Sequence, residues 1–75
     1  MKELVEYVAK SLVDDPSQVT VTEVETGNSV VLQLHVAPED MGRVIGRNGR
    51  VANALRTLLR VQSAKLGKRI TLDIE

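Results

Sequence analysis

Cysteine is absent from the 75-residue sequence, which excludes disulfides and thiolate metal sites. Phenylalanine and tryptophan are also absent and Tyr7 is the only tyrosine, so a nucleic-acid module that stacks bases on aromatic rings is excluded. The single histidine, His35, is too little for a His-rich metal centre, and Ser11, Ser17 and Ser63 lack a plausible general base. We therefore expect no enzyme, no metal or other cofactor and no small-molecule substrate.

Long apolar runs are missing as well. No stretch approaches the roughly 18 apolar residues of a membrane-spanning helix, and the first residues lack the hydrophobic region of a signal peptide. Hydrophobic residues still make up 43% of the chain, enough Val, Leu and Ile for a small core. We expect a single soluble domain over residues 1–75, located in the cytoplasm and not associated with a membrane.

The net charge is zero, but the charges are separated along the chain. Residues 1–42 hold two bases and eight acids, a balance of −6, whereas residues 43–75 hold eight bases and two acids, a balance of +6. Five arginines and no acid lie in residues 43–60. This separation favours an anionic partner for one face, and it is equally typical of a domain whose acidic elements pack near its basic ones.

Hydrophobic periodicity predicts a helix followed by two strands. Apolar residues recur at helical spacing over the first twelve residues, and Asp14–Ser17 ends this helix. Its apolar stripe consists of Met1, Leu4, Val5, Val8 and Leu12. Residues 19–24 and 30–36 favour strands, and the turn sequence Thr26–Ser29 between them predicts a hairpin. The apolar alternation slips between Val21 and Val24, which predicts a bulge or a frayed edge.

The second half of the sequence predicts two helices and a closing strand. Pro38 suits the first turn of a short helix that runs to about Ile45, and a long helix starts near Arg50 and ends at Gly67. The stripe of the long helix consists of Val51, Leu55, Leu58, Leu59 and Leu66, with the polar Gln62 near its centre. Alternation over residues 70–74 gives a last strand, which a right-handed crossover lays parallel to the second strand. The predicted fold is α+β in the order α-β-β-α-α-β, a three-stranded mixed sheet with three helices on one face.

A Gly-x-x-Gly motif, residues 46–49, joins the short helix to the long one. Glycine tolerates positive φ and close backbone approach, and a helix that starts directly after the loop points free N–H groups outward. Such a helix end binds phosphate, and the guanidinium groups of Arg47 at the tip and of Arg43 and Arg50 beside it match phosphate oxygens. The four residues alone also fit a tight helix–helix turn, but their place between two helices and within the acid-free arginine run favours phosphate binding.

The segment Val44–Gly49, with the sequence Val-Ile-Gly-Arg-Asn-Gly, resembles the signature of the K-homology (KH) RNA-binding domain. The element order resembles the type II, bacterial topology of this family, and the resemblance covers essentially the whole chain. It implies that the loop contacts the backbone of single-stranded RNA and that a shallow groove beside it holds about four unpaired nucleotides. The residues assigned to RNA binding are Gly46, Arg47, Asn48 and Gly49 in the loop, Arg43 and Arg50 beside it, and Val44 and Ile45 under the groove.

Other positions near this groove are less sharply assigned. Ala52 stands where many KH domains carry isoleucine, which implies a shallower groove on that side. His35 and Val36 are the candidates for groove residues on a strand, although a lone histidine on a strand is more often an ordinary surface residue. Arg56 and Arg60, one turn apart on the long helix, either extend the phosphate track or belong to a solvated helix face.

Small residues on one flank of the long helix allow a second helix to approach closely. They are Ala54, Thr57 and Ala64, together with Val61. The alternative is that this flank is a partly buried edge of the domain's own core. Similarity to small stand-alone bacterial members of the family implies a homodimer, or a heterodimer with a larger KH-containing protein, with Val61 as the central contact. It also implies an RNA chaperone or post-transcriptional regulator linked to cell-envelope and cell-shape control.

Two other functions remain open at this point. One is a protein–protein adaptor that uses the KH-like shape to bind a partner, and the other is a ribosome-associated assembly factor that binds structured RNA. The paired carboxylates Asp14-Asp15 and Glu39-Asp40 are interpreted as helix caps and helix ends, not as metal ligands or acid–base groups.

Overall fold

The computed structural model describes residues 2–75 and contains three helices and three strands in the predicted order. They are α1 (Lys2–Leu12), β1 (Thr20–Thr26), β2 (Ser29–His35), α2 (Met41–Ile45), α3 (Arg50–Leu66) and β3 (Arg69–Ile74). Short 3₁₀ turns at Pro16–Gln18, Pro38–Asp40 and Arg47–Gly49 complete the connections. Met1, part of the predicted stripe of α1, lies outside the described residues. None of the helices in residues 2–75 has the length and apolar character needed to span a bilayer.

The three strands form one mixed sheet in the order β1-β2-β3. The hairpin turn between β1 and β2 has two central residues, and Gly27 adopts a φ of +56°, the sign that a type II′ turn requires at this position. β3 lies parallel to β2, with Ser29 opposite Arg69 and Leu34 opposite Ile74. The predicted parallel pairing of the last strand with the second and the predicted α+β fold are therefore confirmed.

The core lies between the helices and one face of the sheet. Leu32 and Leu34 of the central strand are completely buried, and the helices contribute buried aliphatic side chains against them. These helix residues are Val5 and Ala9 from α1, Val44 from α2, and Leu55 and Leu59 from α3. Complete burial of one Leu or Val side chain stabilises a fold by about 1.5–3 kcal/mol. A core of this kind holds α2 and α3, and the connection between them, in fixed positions.

The predicted bulge in β1 is wrong. Every residue from Thr20 to Thr26 pairs with one residue of β2, from His35 to Ser29, without an insertion. The apolar alternation slips because Val24 faces the helix-free side of the sheet, where it is 45% exposed beside Val31. The backbone of β1 is therefore regular, and the apolar alternation is interrupted only because Val24 lies on the helix-free face.

The predicted stripe of α3 is only partly right. The buried residues of α3 are Ala52, Leu55 and Leu59. Leu58 and Leu66, which the sequence placed in the stripe, are exposed. The actual buried face is narrower than the sequence suggested and turned toward Ala52. Gln62, which the sequence placed near the centre of the stripe, is half-buried at its margin.

The interpretation of Asp40 as a helix cap is wrong as well. Its carboxylate makes no capping hydrogen bond to α2, although the residue is only 3% exposed. It instead accepts hydrogen bonds from the backbone N–H groups of two residues, Asp14 to Oδ1 at 3.1 Å and Asp15 to Oδ2 at 3.2 Å. Because these N–H groups follow α1, the buried carboxylate fastens the end of α1 to the start of α2.

Candidate nucleic-acid interface

The connection between α2 and α3 depends on left-handed backbone conformations. Gly46 has a φ of +80°, Asn48 of +56° and Gly49 of +74°. A Cβ atom on Gly46 would lie 2.6 Å from Cγ2 and 2.9 Å from the backbone nitrogen of Val51, so only glycine fits there. At Gly49 the nearest atom to such a Cβ is Nδ2 of Asn53, an ordinary contact at 3.6 Å. The first glycine is therefore required by both packing and dihedral angle, the second by dihedral angle.

The hydrogen bonds of the loop leave two donors at its tip. Gly49 donates its N–H to the carbonyl oxygen of Gly46 at 3.1 Å, and Arg50 donates its N–H to the carbonyl oxygen of Arg47. Within residues 2–75 the N–H groups of Arg47 and Asn48 have no backbone acceptor. These two groups lie directly before α3, at the positive end of its dipole. An anion can accept both, because consecutive N–H groups in such a turn form a concave donor site.

The side chains around the tip add positive charge that acids do not neutralise. Arg47, Asn48 and Arg50 are all exposed. None of the ion pairs formed within the described part of the chain involves Arg47 or Arg50. Residues 2–75 also contain no group of three or more His, Cys, Asp or Glu side chains placed to hold a metal ion. The chemistry of the tip therefore suits an anion.

Arg43 lies in a different environment from the other two arginines. Its Nη2 is 3.1 Å from a carboxylate oxygen of Asp14, and its Nε is 3.7 Å from Asp40. The sequence places Arg43 beside the loop as a phosphate contact, and the structure pairs its guanidinium with these two acids while its side chain stays 54% exposed. The charge available to a ligand is therefore concentrated at Arg47 and Arg50.

The aliphatic residues before the loop lie below it. Val44 is completely buried in the core and Ile45 is half-buried. Ala52, in the first turn of α3, is buried as well. Ile45 is thus the aliphatic side chain of this group that remains partly accessible next to the loop.

The two strand candidates do not line a groove on the helical side. His35 is exposed at the end of β2, on the sheet face opposite to that of the buried Leu34. Val36 is buried in the core. Alternation along a strand explains both results, since neighbours point to opposite faces and only one face carries helices.

The small-residue flank of α3 lies on its solvent side. Ala54, Thr57, Val61 and Ala64 are all exposed, Val61 to 51%. None of these four residues therefore belongs to the buried core of the domain. An apolar groove of about 370 Å³ adjoins it, between Val8 and Leu12 of α1 and Leu58 of α3.

Fold and loop together define a class of protein. The order α-β-β-α-α-β, with a Gly-x-x-Gly loop between the second and third helices, is that of a type II KH domain. Residues 2–74 match the family model described as KhpA/KhpB, KH domain. The chain belongs to this family, which confirms the resemblance seen in the sequence.

Individual relatives agree with the family model. The chain is 51% identical over 74 residues to the RNA-binding protein KhpA of Clostridium acetobutylicum, covering 99% of both chains. It is 49% identical over 74 residues to the RNA-binding protein KhpA of Aquifex aeolicus, covering 99% of this chain and 94% of the relative. Among solved structures it is similar to Era of Aquifex aeolicus, with a TM-score of 0.61 and 21% identity over 97% of this chain and 28% of the Era chain. At this level of identity the likeness to Era shows the fold alone.

Proposed function

We propose that this chain is a non-catalytic protein that binds single-stranded RNA through the loop of residues 46–49, as one KH domain over residues 1–75. The observation that carries the proposal is the tip of the loop. There the two unbonded N–H groups of Arg47 and Asn48 and the unpaired guanidinium groups of Arg47 and Arg50 meet the start of α3. The relatives that are about half identical in sequence are named RNA-binding proteins.

The salt dependence of RNA binding tests this proposal. If the loop neutralises two to four phosphates, log affinity falls with log salt concentration at a slope of about −1.4 to −2.8, roughly −0.7 per phosphate. The measurement is fluorescence anisotropy of labelled four-nucleotide RNA of randomised sequence between 50 and 300 mM KCl, where affinities on the order of micromolar are expected. A stable RNA hairpin, whose stem is double-stranded, is the control. Salt-independent binding contradicts phosphate contact, and tighter binding of the hairpin favours an assembly factor for structured RNA.

We further propose that the exposed flank of α3 joins two copies of this chain, or this chain and a KhpB-type protein. The support for this is a run of small side chains around Val61 that faces solvent and that lets a second helix approach closely. Two loops in one dimer would gain affinity for a longer RNA through effective concentration, without a new contact.

Replacing Val61 with aspartate should separate the copies and leave the fold intact. A carboxylate buried at a helix–helix contact costs several kcal/mol, so the dimer dissociation constant should rise at least about a hundredfold. Sedimentation equilibrium measures it. The matched control is Val24→Asp, because Val24 is similarly exposed, at 45%, on the helix-free sheet face. Equal effects of the two substitutions, or a wild-type chain that stays monomeric at high concentration, would contradict the proposed interface.

In the cell we propose an RNA chaperone or post-transcriptional regulator that acts in the cytoplasm and is linked to cell-envelope and cell-shape control. The family resemblance is the support for this step. The adaptor function is favoured by one observation, the exposed apolar side chains of Leu58 and Val61. It predicts that Val61→Asp abolishes function while loop substitutions do not, which is the reverse of the pattern expected for an RNA-binding protein.

A further inference from the structure

Arg43 differs from the other arginines of the loop because two acids from different parts of the chain hold it. Its Nη2 is 3.1 Å from Oδ2 of Asp14, which follows α1, and its Nε is 3.7 Å from Oδ1 of Asp40, which precedes α2. One of the three arginines near the loop is therefore occupied by carboxylates in the absence of a ligand.

The two acids depend on Arg43 to different degrees. Asp40 is 3% exposed, and its carboxylate oxygens accept the backbone N–H groups of Asp14 and Asp15. It remains hydrogen-bonded whether or not Arg43 stays beside it. The side chain of Asp14 is 77% exposed, and in the part of the chain that the structure describes Arg43 is the only partner of its carboxylate. Departure of Arg43 would return Asp14 to water and would leave neither acid buried and unpaired.

Arg43 also lies close enough to the loop to change partners. It is in α2, three residues before Gly46, which corresponds to about 4.5 Å along the helix axis. An extended arginine side chain is longer than this distance, and that of Arg43 is 54% exposed. A phosphate next to one bound at the loop tip is therefore within its reach.

The strengths of the two possible contacts favour the phosphate. An ion pair between exposed side chains contributes little to stability, because water screens the charges and both side chains lose freedom. A guanidinium group on a phosphate makes charge-assisted and often bidentate hydrogen bonds, and it also releases counterions from the nucleic acid. Asp14 should therefore lose Arg43 to a strand that the loop already positions.

We propose that Asp14 is an internal competitor of RNA, which holds Arg43 in the free protein and is displaced by a phosphate of the bound strand. This inference rests on the proposed RNA-binding function. It makes Arg43 a phosphate contact in the complex, and it gives Asp14, interpreted from the sequence as part of a helix end, a role in setting the affinity for RNA.

The test is a double-mutant cycle of Asp14→Asn and Arg43→Ala, measured by fluorescence anisotropy with four-nucleotide RNA of randomised sequence. Asp14→Asn should raise the affinity about two- to fivefold, because the competing ion pair is removed. Arg43→Ala should lower the affinity and make the salt slope shallower by about 0.7, the value for one phosphate. Once Arg43 is alanine, Asp14→Asn should have no further effect beyond that of the control.

The matched control is Asp15→Asn, which makes the same change in net charge at the neighbouring residue. The carboxylate of Asp15 accepts a hydrogen bond from Ser17 and forms no ion pair with Arg43. Thermal unfolding verifies that each variant is folded.

Each other outcome overturns the proposal in a distinguishable way. If Asp14→Asn raises the affinity equally with and without Arg43, or no more than Asp15→Asn does, it acts through overall charge. If it lowers the affinity, Asp14 orients Arg43 toward the RNA and does not compete with it. If Arg43→Ala changes neither affinity nor salt slope, Arg43 is not a phosphate contact. If wild type does not bind the RNA, the proposed function itself fails.

Discussion

The double substitution Arg47→Asp/Asn48→Asp should abolish binding of single-stranded RNA. Both side chains are exposed at the tip, and the new carboxylates would face the phosphates that the adjacent N–H groups are proposed to bind. Loss of two charge-assisted contacts at about 1.5 kcal/mol each corresponds to more than a hundredfold in affinity, before like-charge repulsion is added. Fluorescence anisotropy with four-nucleotide RNA measures the loss.

The fold should survive this double substitution. Aspartate tolerates the left-handed conformation that residue 48 adopts, with a φ of +56°. The control Lys65→Glu/Gln18→Glu makes the same change in net charge at exposed positions away from the loop. Wild-type affinity in the loop variant, or an equal loss in the control, would refute the assignment of the loop. Circular dichroism and thermal unfolding verify that each variant is folded.

Gly46→Ala should destabilise the whole domain. Gly46 combines a φ of +80° with a ψ of 170°, a region that is essentially restricted to glycine and that costs another residue about 1–3 kcal/mol. The Cβ atom would also collide with Val51, 2.6 Å from Cγ2 and 2.9 Å from the backbone nitrogen. The backbone atom cannot move without displacing the start of α3, so overpacking adds about 1–3 kcal/mol. In a domain of this size, each kcal/mol lowers Tm by about 4–8 °C, so a fall of 10 °C or more is expected. Thermal unfolding followed by circular dichroism measures it.

The neighbouring Gly42→Ala provides the matched control. Gly42 lies within α2, and a Cβ atom there meets no heavy atom within 4 Å. Alanine is favoured over glycine in a helix by about 0.8–1 kcal/mol, so this variant should be as stable as wild type or slightly more stable. Similar Tm values for the two variants would show that the loop can rearrange around a side chain at position 46.

The fold was largely predictable from the sequence because its determinants are local. Alternation over residues 30–36 and the turn before it specify the hairpin, and Gly67 marks the end of α3. The handedness of crossovers then fixes where β3 lies. The errors arose where a pattern has two explanations. Val24 breaks the alternation by facing solvent, and Leu58 follows helical spacing but lies outside the narrow face that the sheet covers.

The loop of the candidate site was predictable from the sequence, but the tertiary contacts of the arginines around it were not. Glycines three apart between helices can be recognised in a sequence, as can arginines near them. Which arginine lacks an acidic partner depends on tertiary contacts. Asp40 is three residues before Arg43, but nothing in the sequence indicates that Asp14 also pairs with this arginine. The same limitation hid the position of Arg69, which lines one cleft with Arg56 and Arg60 only because β3 returns beside α3.

The parallel pairing of β2 with β3 also has a kinetic consequence. It brings Ser29 next to Arg69, forty residues further along the chain, and the Gly-x-x-Gly loop lies between them in the sequence. Closing so long a segment costs entropy that is recovered only when the strand docks, so this step should come late in folding. The loop is synthesised before the strand that completes the sheet behind it. A nascent chain would therefore contain the loop arginines before the complete sheet holds them in position. It would be able to bind RNA only after β3 has joined the sheet.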